Sequence, residues 1–237
     1  MPMVDAKRNK VIGIVSYLPD DESIRRVRQS RLTSLIDRLR CLFEGVPIWV
    51  IAQNWRDVDI RGIVKFEYDA PLGILGARRE LRRVFLESNY EYLIMVDDDV
   101  AIIGDASDYY IRSIDDNPGR FYEKNASSLK LFCIHRDIFD DFPEVDPQKG
   151  EGYEDRAFVA QLRIKYPDKR YVFDGNMNLW VEDNATNDCF TTWERKCDSH
   201  EMLGRTNALI ENMKDEYAKF NELRNVDSFS HVVEHRE

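Results

Sequence analysis

The chain has 237 residues, a hydrophobic share of 43%, a charged share of 33% and a formal net charge of −10 at pH 7. These values describe one soluble globular domain, near the ~250 residues that a single core can serve, and exclude a disordered or fibrous chain. The acidic balance argues against a general nucleic-acid binder. No apolar run approaches the ~20 residues that span a bilayer, and residues 1–7 offer no hydrophobic stretch for a signal peptide. The expectation is a cytoplasmic protein without a transmembrane segment. Eleven Gly and eight Pro are scattered, with no linker or repeat, so residues 1–237 are read as one domain. Cys41, Cys133, Cys189 and Cys197 form no CxxC pair and read as free thiols.

In chain order, residues 11–16 form a short β-branched run that ends at Tyr17-Leu18-Pro19, a buried strand followed by a loop. Asp20 or Asp21 can cap the helix that follows. Its apolar stripe comprises Ile24, Val27, Leu32, Leu35, Ile36, Leu39 and Leu42. The Arg residues at 25, 26, 28 and 31, and those at 78, 79, 82 and 83, read mostly as solvated basic faces, with a local anion site as the alternative. Residues 47–52 and 63–68 are further strands. Pro71-Leu72-Gly73 opens a helix over 77–87, with Leu81, Val84 and Phe85 inward. Residues 92–96 are almost continuously apolar, as expected of a strand buried on both faces. This alternation predicts an α/β sandwich with a mainly parallel central sheet.

Beyond residue 100 the pattern predicts a strand over 129–135, an amphipathic helix over 155–166 and a short strand over 171–173. A long closing helix over 201–224 carries Met202, Leu209, Ile210, Met213, Tyr217 and Phe220, and residues 225–237 form a polar tail. His135, at a strand end, reads as structural.

The strongest chemical signal is Asp97-Asp98-Asp99, directly after the apolar strand. Adjacent like charges repel by about 1 kcal/mol per pair even in water-like surroundings, and a hard divalent cation would offset that cost. In open parallel sheets ligands sit at the carboxyl ends of the strands, where this triplet falls. An acidic turn capping the next element is the plainer reading. An EF-hand loop from Asp97 fails, because its sixth position, a glycine in that motif, is Ile102.

These residues bear a family resemblance. Leu93 to Asp99 is similar to the Asp-x-Asp motif of glycosyltransferases of the GT-A fold, especially family 2. Gly73-Ile74-Leu75-Gly76-Ala77-Arg78-Arg79 is similar to that family's Gly-x-x-x-Ala-Arg-Asn helix start, with Arg79 in place of Asn. Gly152-Tyr153-Glu154-Asp155 resembles its Glu-Asp motif, followed by Leu162-Arg163. The resemblance spans roughly residues 10–210. It implies a nucleotide-diphospho-sugar transferase with a nucleotide-sugar half (residues 10–100) and an acceptor half (residues 101–200).

The implied site is as follows. Asp97 and Asp99, with His200 ahead of the closing helix, hold Mn2+ or Mg2+. Ser16, Tyr17, Pro19 and Gln53 border the nucleotide base, and Asp97 and Asp98 contact the nucleotide sugar. Arg78, expected in the first turn of its helix, meets the pyrophosphate with help from the helix dipole. Asp155, oriented by Glu154, is the base that takes the proton of an attacking hydroxyl, which implies inversion at the anomeric carbon. Each has a plainer reading: a helix cap for Asp155, a solvated cation for Arg78, a surface side chain for His200. Trp180 and Trp193 are candidate stacking platforms, with core packing the alternative.

The expected reaction moves a hexose, from a UDP-linked donor, to a glycan or other hydroxyl acceptor. A non-catalytic nucleotide-sugar or carbohydrate binding module stands as an alternative. So does glucosylation of hydroxymethylated bases in DNA, as related phage enzymes carry out, although the −10 charge counts against a DNA acceptor. A phage-encoded protein working in a bacterial cytoplasm fits the same reading.

Overall fold

The computed structural model describes residues 9–123, 129–143, 154–173 and 178–183. Its first strands are β1 (Lys10–Tyr17), β2 (Ile48–Gln53), β3 (Val64–Tyr68) and β4 (Tyr92–Asp97). They pair in parallel, in the spatial order β3-β2-β1-β4. A separate antiparallel ribbon joins β5 (Val100–Gly104) to a strand late in the described chain, β9 (Leu179–Asp183). Next to β4, the main sheet continues through β7 (Phe132–His135), which runs antiparallel, then β6 (Phe121–Glu123) and β8 (Arg170–Val172). The result is the mainly parallel α/β sandwich expected, with seven strands.

Among the described residues four α-helices cover the two faces: α1 (Glu22–Leu42), α2 (Gly73–Leu86), α3 (Ser107–Asp116) and α4 (Glu154–Lys165). Asp21 caps α1 by accepting from the Ser23 and Ile24 amides at 3.0 and 3.2 Å, which satisfies amides that have no intrahelical partner. Leu32, Leu35, Ile36 and Leu39 of α1 pack with Tyr110 and Ile114 of α3 against Ile12, Ile14, Val50, Ile94 and Val96. On the other face Ala77, Leu81, Val84 and Phe85 of α2 and Phe158, Val159 and Leu162 of α4 pack against Val11, Ile51, Leu93 and Met95. Residues of β4 thus alternate between the two clusters, as the two-residue period of a strand requires.

The β5–β9 ribbon begins directly after the acidic triplet, so its anchoring sets the direction in which the chain leaves that turn. Arg38 of α1 donates to the carbonyls of Ile102, at 3.2 Å, and Gly104. The Asp105 and Ala106 amides both donate to the Asn178 carbonyl, at 2.9 and 3.0 Å. Gly104 has φ +99°, and a Cβ there would run into that same carbonyl.

Three departures from the sequence pattern have local causes. The strand expected over 129–135 pairs only from Phe132, because Leu129 and Leu131 bury their side chains from a turn instead of a ladder. Val27 is exposed, and Arg25 takes the inward position on α1. The helix expected over 77–87 begins four residues earlier, at Gly73. His135 behaves as a structural residue: its ring meets Tyr92 edge-on at 4.9 Å and its Nδ1 accepts from the Asp137 amide.

Gly104→Ala is expected to lower unfolding stability by about 1–3 kcal/mol, through left-handed backbone strain and the clash with Asn178. Urea denaturation checks this. An unchanged midpoint would mean that the ribbon tolerates a side chain at that position.

Candidate active site

The site is built by the alternation of β4 continuing into the acidic turn. Leu93 and Met95 face the α2 layer, and Ile94 and Val96 face the α1 layer. Asp97 therefore falls on the α2 side, where Arg78 Nη2 donates to its Oδ1 at 3.0 Å. Asp98 falls on the α1 side, against the end of β1. The residue is half-buried, and desolvation pushes its pKa up. The Arg28 guanidinium, Ser16 and the Tyr17 amide pull it back down, while Asp97 pushes it up. Ser16 is within electrostatic reach of that carboxylate, but its buried Oγ closes no hydrogen bond of normal geometry. Arg28 is held in place by donating to the Tyr17 carbonyl at 2.9 Å. Asp99 is half-buried in the turn into β5.

The placement of Arg78 corrects an expectation. With α2 starting at Gly73, Arg78 lies in the second turn, so the exposed amides of the helix start are not beside it. It is buried and ion-paired with Asp97. The early start has no local side-chain cap. Instead Gln53, at the end of β2, accepts from the Leu72 amide at 2.7 Å, and Gly73 supplies φ +69°. The basic neighbours serve other ends: Arg79 donates to the Phe142 carbonyl at 2.9 Å, and Arg82 to the Phe139 and Asp140 carbonyls at 3.0 Å.

The residues expected around the nucleotide base do gather at the strand ends. Ser16 and Pro19 are buried, Tyr17 is half-exposed, and Gln53 is buried with its Oε1 engaged as described. Asn54 takes the left-handed conformation (φ +56°) that asparagine tolerates. It donates to the Leu18 carbonyl at 2.8 Å and to Asp20 at 3.0 Å. Arg25 ties the same loops together through the carbonyls of Pro19 (3.2 Å), Asn54 (2.7 Å) and Arg56 (3.3 Å).

Arg25 and Arg28 bond to the loops that border the candidate site, contacts that a reading of the basic helix as a solvated face overlooks. Their spacing to Leu32 and Leu35 places them on the buried stripe, and that periodicity is the signal for them.

Glu154 and Asp155 open α4, and Asp155 is half-buried. One turn later Phe158 packs on Phe142 (ring centroids 4.3 Å) and Phe132 (6.4 Å). Phe132 pairs with Met95, two residues before Asp97. The start of α4 thus lies toward the carboxyl end of β4, the end that bears the triplet. Further along α4, Arg163 forms a buried two-pronged pair with Glu123, its Nε 2.9 Å from Oε1, and Arg170 Nε adds a contact at 3.2 Å.

His200, Trp193, Cys189, Cys197, Gly150, Gly152 and the helix expected over 201–224 lie outside the described residues. Trp180 lies on β9, opposite Ile103. Among the described residues no group of three or more His, Cys, Asp or Glu side chains is placed to hold a metal ion, and no helix is long and apolar enough to cross a membrane.

No protein-family model and no curated protein sequence matches the chain. Among solved structures, residues 1–349 of TarS from S. aureus superpose with a TM-score of 0.52 at 10% identity, covering 72% of this chain and 59% of that one. The present chain therefore spans less than two thirds of that fragment. A glycosyltransferase involved in glycosylation of the major capsid of PBCV-1 matches at TM-score 0.46 and 14% identity, covering 69% of this chain and 81% of that one. A proposed nucleotide-diphospho-sugar transferase from Desulfovibrio desulfuricans G20 matches at TM-score 0.46 and 12% identity, covering 86% and 97%.

Gln53→Leu is expected to cost about 0.5–1.5 kcal/mol by removing the acceptor of the Leu72 amide. Hydrogen exchange at that amide should accelerate. Unchanged exchange would show that another contact holds the loop before α2.

Proposed function

We propose that the chain, with its mainly parallel α/β sheet, is a metal-dependent glycosyltransferase acting on a nucleotide-diphospho-sugar. In this reading it moves a hexose from a nucleotide diphosphate donor, with UDP the first choice, to a hydroxyl acceptor by inverting displacement. The observation that carries the proposal is the acidic triplet at the carboxyl end of β4. Its first two carboxylates are set against arginines from opposite layers, at the strand ends where α/β sheets of this type bind ligands.

The donor set fits a hard divalent cation. Such ions are commonly bound by one or two carboxylates and complete their shell with substrate phosphates, so Asp97 and Asp99 suffice as the chain's share, with His200 a further candidate. When bound, Mn2+ or Mg2+ supplies neutralisation of the charge that develops on the leaving diphosphate.

The remaining work falls to side chains of the chain. Tyr17, at the end of β1, borders the nucleotide, with Ser16, Pro19 and Gln53 forming the floor and wall behind it. Asp98, drawn toward β1 by Arg28, contacts the nucleotide sugar. Arg78 provides positive charge at the diphosphate. Asp155 takes the proton of the acceptor hydroxyl as that oxygen bonds to the anomeric carbon, and Glu154 orients it. The bond from that carbon to the phosphate oxygen breaks with its electron pair, which leaves on the nucleoside diphosphate. One base and one displacement invert the anomeric centre. The acceptor is a glycan or another hydroxyl compound, and the charge of −10 disfavours DNA.

Asp155→Asn should bind donor with near-native affinity yet lose about 10²–10⁴-fold in transfer rate, since it keeps the size of the base but not its proton affinity. Calorimetry with donor and a transfer assay test this together. Wild-type turnover in the variant, or a product of retained configuration by NMR, would return Asp155 to a helix cap. Asp99→Ala and excess EDTA should each abolish transfer. Full activity in EDTA would falsify the metal role. A protein that binds donor but never releases nucleoside diphosphate would be a binding module.

A further inference from the structure

Two arginines of α2 bond outside the donor site. Arg79 and Arg82 stand three residues apart, on neighbouring positions of one helix face. Arg79 Nη2 donates to the Phe142 carbonyl at 2.9 Å, and its Nε lies 3.4 Å from Asp141 Oδ1. Arg82 Nε is shared between the carbonyls of Phe139 and Asp140, each at 3.0 Å. Its guanidinium also lies over the Phe139 ring, 5.8 Å from the centroid. α2 thus grips the backbone of residues 139–142 at the carbonyls of Phe139, Asp140 and Phe142.

The same segment seats α4. Phe142 and Phe139 pack on Phe158, with ring centroids 4.3 and 5.6 Å apart, one turn after Asp155. Toward the other end of the helix, Asp140 accepts from Lys165 Nζ at 2.7 Å and from the Tyr166 hydroxyl at 3.1 Å. Residues 139–142 are therefore a strap, fixed to α2 by guanidinium groups and to α4 by rings and a carboxylate. The Phe85 ring of α2 also meets Phe139, at 6.0 Å, but an apolar contact is non-directional and tolerates sliding. Hydrogen bonds from a guanidinium are directional and set the register. Arg78, the residue before Arg79, is bound to Asp97, so one helix carries both a donor-site arginine and the anchors of the strap.

We propose that Arg79 and Arg82 are positioning residues that, by fixing the strap, set where the start of α4 and Asp155 stand relative to the donor. This inference rests on the reading of the site as that of a nucleotide-sugar transferase with Asp155 as its base. Neither arginine touches donor or acceptor, so loosening the strap displaces the base and leaves the donor site intact. A displacement of about 1 Å at a reacting group can cost about 10²-fold in rate.

The test uses the full chain with Mn2+ and UDP-glucose, or whichever of GDP- and CDP-glucose the wild type turns over, with water standing in for the acceptor hydroxyl. Release of nucleoside diphosphate gives kcat and donor KM, and calorimetry with that nucleoside diphosphate gives its Kd. Arg79→Met and Arg82→Met should each lose about ten-fold or more in kcat, with KM and Kd within about two-fold of wild type. Arg79→Lys, which still donates to the Phe142 carbonyl, should recover most of the rate. Arg83→Met, on the same helix but paired with Glu80 and Glu87, should match wild type. Adding Arg79→Met to Asp155→Asn should lower the rate no further, because both act through one base.

A native Kd shows that each variant is folded at the donor site, so a fall in kcat alone is not loss of structure. Wild-type kcat in both methionine variants overturns the proposal, and so does a loss carried by donor KM or Kd. Independent, multiplicative losses in the combination with Asp155→Asn overturn it as well. A wild type that releases no nucleoside diphosphate from any of these donors removes the functional reading itself, and this inference with it.

Discussion

A strand buried on both faces cannot hold ionised side chains along its length, and the rest of this site follows from where β4 is released from that constraint. Tyr92 to Val96 are all buried, and the carboxylates begin at the next residue. The two-residue period of the strand then assigns Asp97 to one layer and Asp98 to the other. Each helical layer answers with an arginine, Arg78 from α2 and Arg28 from α1. These arginines therefore tie both helical layers to the same strand end.

Around that centre, polar groups serve to stitch loops together. Arg25 gathers carbonyls from the loops after β1 and β2, Asn54 reaches back to Leu18 and Asp20, and Gln53 fixes the chain entering α2. Each bond is worth about 1 kcal/mol, but together they hold three strand ends in one arrangement. The same logic governs the outer half of the sheet, where Glu123 binds Arg163 of α4 and Arg170 of β8. Such pairs contribute little net stability yet penalise any other packing of α4. Asp155, at the start of that helix, inherits its position from this arrangement and from the Phe158 contacts.

The parallel core was legible in the sequence because its strands are near-continuous apolar runs. β1, β2, β3 and β4 lie within two residues of their expected places, and of the two candidate caps, Asp20 and Asp21, it is Asp21 that caps α1. What could not be read locally depends on distant partners. β5 exists as a strand through pairing with β9, whose residues are far along the chain. α2 starts early because a glutamine on another strand accepts from the loop before it. The roles of Arg25 and Arg28 were obscured by treating a cluster of charge as a surface, when two of its members sit on the apolar stripe. The triplet itself was visible as chemistry, but its division between two layers needed the sheet.

The central claim is that the carboxyl end of β4 is the donor site, and one diffraction experiment addresses it directly. Crystals grown with MnCl2 and UDP, with data collected near the manganese absorption edge, would place the ion without reference to sequence or fold. The account predicts an anomalous peak at coordination distance, about 2.1 Å by analogy with octahedral Mg2+, from Asp99. Diphosphate density should lie beside it, over the ends of β1 and β4. A manganese peak remote from the triplet, or nucleotide bound elsewhere on the molecule, would contradict it.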